Sequence, residues 1–455
     1  MSDAVESPST TRDTGAPKLE RTLTLRTITL FGLAYLAPLI VLGTFGVLAE
    51  SSAGSTGSAY LLALVAMLFT AYSYGKMAAA FPVAGSAYTF TRRSIGPRIG
   101  FMIGWAILLD YFFIPMAIWL IGAAFLSSAF PAVPTWVWVL GFIVLTSGLN
   151  LIGIKLAANL NSLLMVIQLV VLGLFILLSL RHVMGIGGAG AAFNLGPFLN
   201  PKTTIGGVAA GAALAAYSFL GFDAVTTMTE EVIDPRKTVP RAIMLIILLG
   251  GGMFVVASYT TQLVHPGGVF KDSSSAAFDI AKTIGTDLFA SVFLGGLILA
   301  QFTSGISAQA AVSRLLFAMG RDAVLPKRFF GFIHPRFHTP ALNILLAGAT
   351  GLIALKLTVA TSTSFINFGA FTAFTFVNLS VIALFIRGRG ERGWRRVVTD
   401  VVAPAIGAVV DVWLLFSLEI NAKILGVIWL ALGLAYLAYL TRLFRVAPPE
   451  VTFEE

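Results

Sequence analysis

The 455-residue sequence contains no cysteine and few charged residues. The absence of cysteine excludes disulfide bonds, thiolate catalysis and cysteine-based metal sites. Charged residues make up 11% of the chain, whereas they make up about a quarter of a typical soluble domain. Histidines are also few and fall in predicted loops without the spacing of metal ligands, so we expect no metal ion and no cofactor. They are His182, His265, His334 and His338.

Apolar residues are abundant instead, at 57% of the chain with a mean hydropathy of +0.90. Apolar stretches of about 20 residues, enough for a helix to cross a bilayer, recur from end to end. The sequence therefore predicts an all-α membrane protein with 12 transmembrane helices in a lipid bilayer. The predicted helices cover residues 27–49, 58–80, 98–125, 134–153, 158–181, 204–232, 239–262, 285–318, 339–357, 361–386, 398–419 and 424–444.

The basic residues predict the orientation in the membrane. With these boundaries, 24 of the 30 Lys and Arg residues lie on the side that holds both termini. This excess predicts a multi-pass protein of the cytoplasmic (cell) membrane with both termini in the cytoplasm. The net charge of +9 lies in short loops, so we expect no nucleic-acid partner. Residues 1–25 are polar and predicted to be a disordered cytoplasmic tail, and residues 447–455 a short cytoplasmic tail.

Two predicted helices are interrupted at mid-span. The first contains Pro38, Gly43 and Gly46, and the sixth contains Gly221 at a similar depth. Interruptions free backbone groups that lipid cannot satisfy, so such segments persist where they line a cavity or bind a ligand. Paired interruptions in two halves of a chain are typical of the site of an alternating-access transporter. The alternative is a simple kink in each helix.

Three motifs, which follow one another over much of the chain, resemble the amino acid, polyamine and organocation transporter superfamily. They are FPVAGSAY at 81–88, continuing to GW at 104–105; GFD at 221–223, running to PRAI at 240–243; and SAQ at 307–309, running to LPK at 325–327. Within the superfamily, the segments SYGK at 73–76, LLDY at 108–111 and INFGA at 366–370 are similar to those of putrescine importers.

The resemblance implies a LeuT-like fold with a 5+5 inverted repeat and broken helices 1 and 6. The transport core would cover 26–386, with repeats at about 26–181 and 204–386. Helices 11 and 12, at 387–446, would lie outside this core.

Two carboxylates inside predicted helices are functional candidates, because a charge at the centre of a membrane helix costs about 2.5–3.5 kcal/mol. By resemblance to the arginine and agmatine antiporter, Asp110 and Tyr111 would face the distal end of the substrate. Asp110 would bind a substrate ammonium and could exchange it for a proton. The alternatives for Asp110 are a buried neutral acid or an ion pair with a basic loop.

Asp223 follows the interruption of the sixth helix, where family members carry an acid linked to pH sensing or gating. We expect it to couple or sense protons, with a cap on the freed amides as the alternative. Glu230 and Glu231 are expected to act in gating at the end of the same helix rather than to touch the substrate.

The interrupted segments supply the other predicted binding residues. The resemblance places Tyr217 as an aromatic lid over an ammonium, with Ser218 and Leu220 lining the pocket. A zwitterionic substrate would put its carboxylate on the amides around Leu42, Gly43 and Thr44. Its ammonium would meet carbonyls near Pro38, Leu39 and Ile40. A diamine has no carboxylate and would leave those amides unused, so both substrate classes stay open.

Two departures from the family pattern bear on the substrate and on coupling. Gly43 stands where putrescine importers carry an acid, which weakens the case for a dication. Gln168 stands where several amino acid transporters have a lysine in the fifth helix, so coupling by that lysine is excluded.

We expect a secondary active transporter, a proton-coupled importer of a small organic amine such as putrescine. An amino acid permease or an amino acid/amine exchanger of the same fold is the alternative. An intramembrane enzyme is a remote alternative, because the sequence lacks the motifs that it would need. The sequence makes no prediction of the oligomeric state.

Overall fold

The computed structural model describes residues 21–82, 86–153, 156–321, 324–388 and 393–449, and these residues are mainly helical. In these ranges, 11 helices are long and apolar enough to cross a membrane, and a shorter apolar helix, Ala341–Lys356, makes a twelfth. The prediction of a twelve-helix, all-α membrane protein is therefore confirmed. The predicted tails, 1–25 and 447–455, lie for the most part outside the described residues, as do residues 83–85 of the first motif.

We number the spans 1 to 12 in chain order. Span 1 comprises Leu25–Tyr35, Ile40–Gly43 and Phe45–Ser51, and span 6 comprises Ile205–Ala215, Ala216–Phe219 and Phe222–Glu231. The others are Thr56–Ala80, Pro97–Ala129, Thr135–Ile152, Leu156–Gly187, Pro235–Val264, Asp287–Arg321, Ala341–Thr350 with Gly351–Lys356, Val359–Arg387, Trp394–Val397 with Val398–Val402 and Ala403–Ser417, and Ile420–Leu440. Short helices between spans are Ala87–Ser94, Ala189–Phe193, Ser273–Ser275, Ala276–Ile284 and Lys327–Phe330.

Local sequence signals set several helix starts. The hydroxyl oxygen of Thr24 accepts a hydrogen bond from the Thr27 amide at 3.3 Å, and that of Thr204 accepts one from the Gly207 amide at 3.0 Å. These caps satisfy amides that the first turns of spans 1 and 6 leave without a helical partner. Pro97 opens span 3, where its missing N–H costs nothing.

The second half of span 6, Phe222–Glu231, is a 3₁₀-helix, which the sequence analysis does not predict. Thr226, Thr227 and Thr229 each donate their hydroxyl to the carbonyl three residues earlier, at 2.6–2.7 Å. Each hydroxyl thus adds a bond that spans the same three residues as the backbone bonds of a 3₁₀-helix.

Spans 11 and 12 pack directly on the preceding spans, span 11 on spans 2 and 10 and span 12 on spans 3 and 10. Trp105 of span 3 and Trp429 of span 12 stack with ring centroids 5.1 Å apart. Each indole N–H donates to the backbone carbonyl of the other residue, at 2.9 and 2.8 Å. A Cβ at Gly433 would lie 2.3 Å from the Trp105 ring, so only glycine allows this contact.

Backbone packing closes the end of the molecule that holds the loop between spans 7 and 8. A Cβ on Gly46 would lie 2.3 Å from the carbonyl oxygen of Ser273, and one on Gly268 would lie 2.4 Å from that of Ala49. The second half of span 1 is therefore pressed against this loop without room for a methyl group.

Candidate substrate-binding site

The interruptions of spans 1 and 6 lie side by side. Span 1 leaves helical geometry at residues 36–39, with Ala37 at φ +50°, and span 6 does so at Leu220 and Gly221, with Gly221 at φ +98°. The Tyr35 ring covers Gly221 so closely that a Cβ there would lie 2.1 Å from Tyr35 Cδ1. The prediction that both helices are broken is confirmed.

A phenol from span 2 joins the two interruptions. The hydroxyl of Tyr60 lies 3.0 Å from that of Ser218 and is close enough to the Thr44 side chain to interact with it. All three side chains are buried, and the Thr44 hydroxyl donates to the Ile40 carbonyl at 3.2 Å. The fold thus brings together Thr44 and Ser218, two of the predicted site residues, around one phenol.

Two half-buried carboxylates, Asp110 of span 3 and Asp223 of span 6, lie in the same region. They are close enough for their charges to interact. Asp110 Oδ1 is buried without a hydrogen-bond partner among the described residues, whereas Asp223 lies close enough to the Tyr74 hydroxyl of span 2 to interact with it. In the described part of the chain neither carboxylate pairs with a basic side chain. The site is therefore acidic, with no cation of its own to balance it.

Four tyrosines surround these acids. All four interact electrostatically with Asp110; they are Tyr35, Tyr74, Tyr111 and Tyr217. Tyr35 remains 39% exposed although it covers Gly221, so part of its ring faces open space. Tyr111 and Tyr217 are predicted site residues, whereas the sequence analysis assigns no role to Tyr35 or Tyr74. The position of Tyr35, as the last helical residue before the first interruption, is a signal that could have identified it.

A cavity of about 310 Å³ lies between spans 3, 6 and 8 and reaches the loop between spans 8 and 9, and neither Asp110 nor Asp223 is among the residues that line it. Tyr111, next to Asp110, and Thr227, about one turn beyond Asp223, line it, and Val324 belongs to the loop. Its volume is at the lower end of the range of about 300–1,000 Å³ for ligand pockets and suits a small molecule. The other lining residues are Ser86, Tyr88, Phe101, Gly104, Trp105, Ile107, Leu108, Ala311, Leu315 and Met319.

The amides of span 1 on which the sequence analysis would place the carboxylate of a zwitterionic substrate are bonded within the protein in this structure. The amides of Leu42 and Gly43 both donate to the carbonyl of Leu39, at 3.1 and 3.2 Å, and the amide of Thr44 donates to the carbonyl four residues earlier, at 3.1 Å. The Leu39 amide donates to Gln168 Oε1 at 3.4 Å. Because these N–H groups already have partners within the protein, they are not free donors for a substrate carboxylate.

Gln301 of span 8 borders the same segment and is a residue that the sequence analysis misses. It is 5% exposed, and its Nε2 has no hydrogen-bond partner among the described residues. A Cβ on Gly43 would lie 3.8 Å from this Nε2. A glutamine within the apolar part of a span is the sequence signal that could have identified it.

The remaining predicted residues fall into two groups. Pro38, Leu39, Ile40 and Leu220 are buried in the two interruptions. Glu230 and Glu231 lie at the far end of span 6, where Glu230 is exposed and the Glu231 carbonyl accepts the amides of Thr22 and Leu23, both at 2.9 Å. The two glutamates are thus placed at an end of the span and not among the residues around Asp110.

Comparison with known proteins gives a consistent result over nearly the whole chain. Residues 28–432 match a family model described as amino acid permease. The low-affinity putrescine importer PlaP of Escherichia coli (strain K12) is 38% identical over 98% of this chain and 99% of its own length. Two proteins of Bacillus subtilis (strain 168) are more distant. Its methylthioribose transporter is 27% identical over 91% of this chain and 93% of its own length. Its branched-chain amino acid permease BcaP is 25% identical over 92% of this chain and 93% of its own length.

Proposed function

The chain belongs to the amino acid permease family, and we propose that it is a proton-coupled importer of a small organic amine such as putrescine. As a permease with many apolar spans, it is a multi-pass membrane transporter of an amine or amino acid and not an enzyme. The amine, the coupling ion and the direction of transport are what we add to this family assignment.

The observation that supports the amine most strongly is that Asp110 and Asp223 have no basic partner in the part of the chain that the structure describes. Burying negative charge without a counter-ion costs several kcal/mol, so Asp110 and Asp223 favour an occupant that brings positive charge. An alkylammonium brings that charge together with methylene groups that suit the apolar lining of the cavity. The tyrosine rings add an attraction for ammonium of about 1–2 kcal/mol where water is excluded.

A diamine would use this site more fully than a single amine. Putrescine carries two ammonium groups, and Asp110 and Asp223 would give each of them a carboxylate. A proton can neutralise either acid after the amine has left, which is the basis on which we propose proton coupling. Binding of the amine and binding of protons would then alternate at the same oxygens.

The second candidate is an amino acid permease or an amino acid/amine exchanger. It is favoured by Gly43, which leaves the first interruption without an acid, and by the branched-chain amino acid permease among the relatives. Against it stand the amides of Leu42, Gly43 and Thr44, which are bonded to carbonyls of span 1 and leave no evident place for a substrate carboxylate.

We further propose that the loops rich in basic residues and both termini face the cytoplasm. In this orientation the cavity lined by Tyr111 and Thr227 lies toward the cytoplasm, and the closed contact of Gly46 with Ser273 lies on the outer side. The arrangement corresponds to an inward-facing state. Residues 26–386, with repeats at about 26–181 and 204–386, would form the transport core, to which 387–446 add spans 11 and 12.

Thermal unfolding of the purified protein with a panel of ligands tests the substrate class. The panel contains putrescine, cadaverine, spermidine, agmatine and the twenty amino acids, each at two pH values. A ligand at a hundred times its Kd stabilises the folded state by about 2.7 kcal/mol. We expect stabilisation by the diamines, absent in an Asp110→Asn variant. Stabilisation by amino acids alone would contradict the amine and select the second candidate.

A further inference from the structure

Span 11 carries a carboxyl group that the candidate site does not use. Asp411 is fully buried where span 11 meets spans 2 and 10. Its Oδ2 accepts two hydrogen bonds at 2.9 Å, from the hydroxyl of Thr70 and from Nδ2 of Asn378. Asp411 Oδ1 and Asn378 Oδ1 are both buried, and neither has a hydrogen-bond partner in the described part of the chain.

Gly407 holds the Asn378 amide against this carboxyl group. It lies one turn before Asp411 on the same face of span 11. A Cβ there would lie 2.8 Å from Asn378 Oδ1 and 2.9 Å from Nδ2, so the amide plane rests directly on the glycine. Two residues of span 11, Gly407 and Asp411, therefore contact the Asn378 amide. The Asp411 side chain can donate a hydrogen bond to this amide only when its carboxyl group is protonated.

We propose that Asp411 is a proton-binding site, with the proton on Oδ1 donated to Asn378 Oδ1. A protonated carboxyl group and a primary amide each offer one donor and one acceptor, so they can form a pair joined by two hydrogen bonds. One proton thus gives both unpartnered oxygens a partner. It also removes the cost of burying an uncompensated charge.

Among the residues that the structure describes, the groups around Asp411 supply no cation that would hold it ionised. Tyr74, one turn beyond Thr70 on span 2, interacts electrostatically with both Asp411 and Asp223. Further along span 2, Lys76 pairs with Asp400 at 2.8 Å. Arg387 lies more than two turns beyond Asn378 on span 10, and the first helix of span 6, which also packs on span 11, has no titratable side chain. The proton is therefore the ligand that fits the site.

Infrared difference spectroscopy of wild type minus Asp411→Asn tests this directly, in a detergent that has no carbonyl group. We expect the wild type to show the C=O stretching band of one protonated carboxylic acid that the variant lacks. Asparagine offers the same donor and acceptor as a protonated aspartate, so we also expect an unchanged melting temperature. Loss of carboxylate bands in the variant, with no loss of a protonated-acid band, would overturn the proposal.

If Asp411→Asn does not fold, a second variant can still show whether Asp411 is protonated. Thr70→Val keeps the shape of the side chain and removes one hydrogen bond to Oδ2. If Asp411 is protonated on Oδ1, its C=O group loses an acceptor bond, and the protonated-acid band moves to higher frequency. A shift confined to carboxylate bands would show an ionised Asp411 and contradict the proton site.

Discussion

Asp110→Asn is expected to abolish uptake of a cationic amine while leaving the protein folded. The carboxylate has no basic partner among the described residues and an unpartnered Oδ1, so it is available to a substrate ammonium. Removing one member of a desolvated charge pair costs about 2–5 kcal/mol. At about 1.4 kcal/mol for each factor of ten, affinity should fall by roughly thirtyfold or more. Uptake of labelled putrescine by cells that express the variant measures the effect.

Asp279→Asn is the matched control. Asp279 is 54% exposed and pairs with Lys282 at 3.3 Å on the short helix before span 8, and such exposed pairs contribute at most about 1 kcal/mol. Uptake of labelled putrescine by Asp279→Asn should therefore equal that of the wild type. Both variants should elute as folded protein, because neither change leaves a buried charge without a partner. Wild-type uptake by Asp110→Asn would remove Asp110 from the substrate site.

Gly221→Ala is expected to inactivate transport by separating the two interruptions. The new Cβ would lie 2.1 Å from Tyr35 Cδ1, so the ring would have to leave its place. The backbone at φ +98° adds strain, because a side chain there costs about 1–2 kcal/mol. We expect a lower melting temperature and uptake close to background. Both follow from the loss of the contact that holds spans 1 and 6 together at the site.

Gly206→Ala is the control for the glycine change, since it lies on span 6 with no heavy atom within 4 Å of the added Cβ. Gly206→Ala should leave both the melting temperature and the uptake unchanged. A Tyr35→Ala background removes the ring that the new methyl group would strike, so Gly221→Ala should cost less stability there than in the wild type. Equal costs in the two backgrounds would show that the contact of Tyr35 with Gly221 does not carry the effect.

The interruptions could be predicted from sequence because proline and glycine act locally on the backbone. Pro38 and Gly221 mark segments that leave helical geometry in the structure. Asp110 and Asp223 could be chosen because acids inside apolar runs are rare. In each case the information lies within a few residues along the chain.

Contacts between residues that are far apart along the chain could not be predicted from the sequence. Tyr35 and Tyr74 look like ordinary aromatic residues of two spans, and only the fold sets them beside Asp223. Gln301 reaches the first interruption from span 8. The hydrogen bonds of the amides around Gly43 also depend on the fold, because the chain resumes a helical turn after Leu39 and pairs those amides itself.

Uptake of labelled putrescine into proteoliposomes that contain only this protein tests the proposed function most directly. The external solution is made more acidic than the lumen, and a matched sample has equal pH on both sides. We expect accumulation that requires the pH difference and that unlabelled diamines suppress. Failure to take up putrescine by vesicles that accumulate amino acids, or uptake unaffected by the pH difference, would contradict a proton-coupled amine importer.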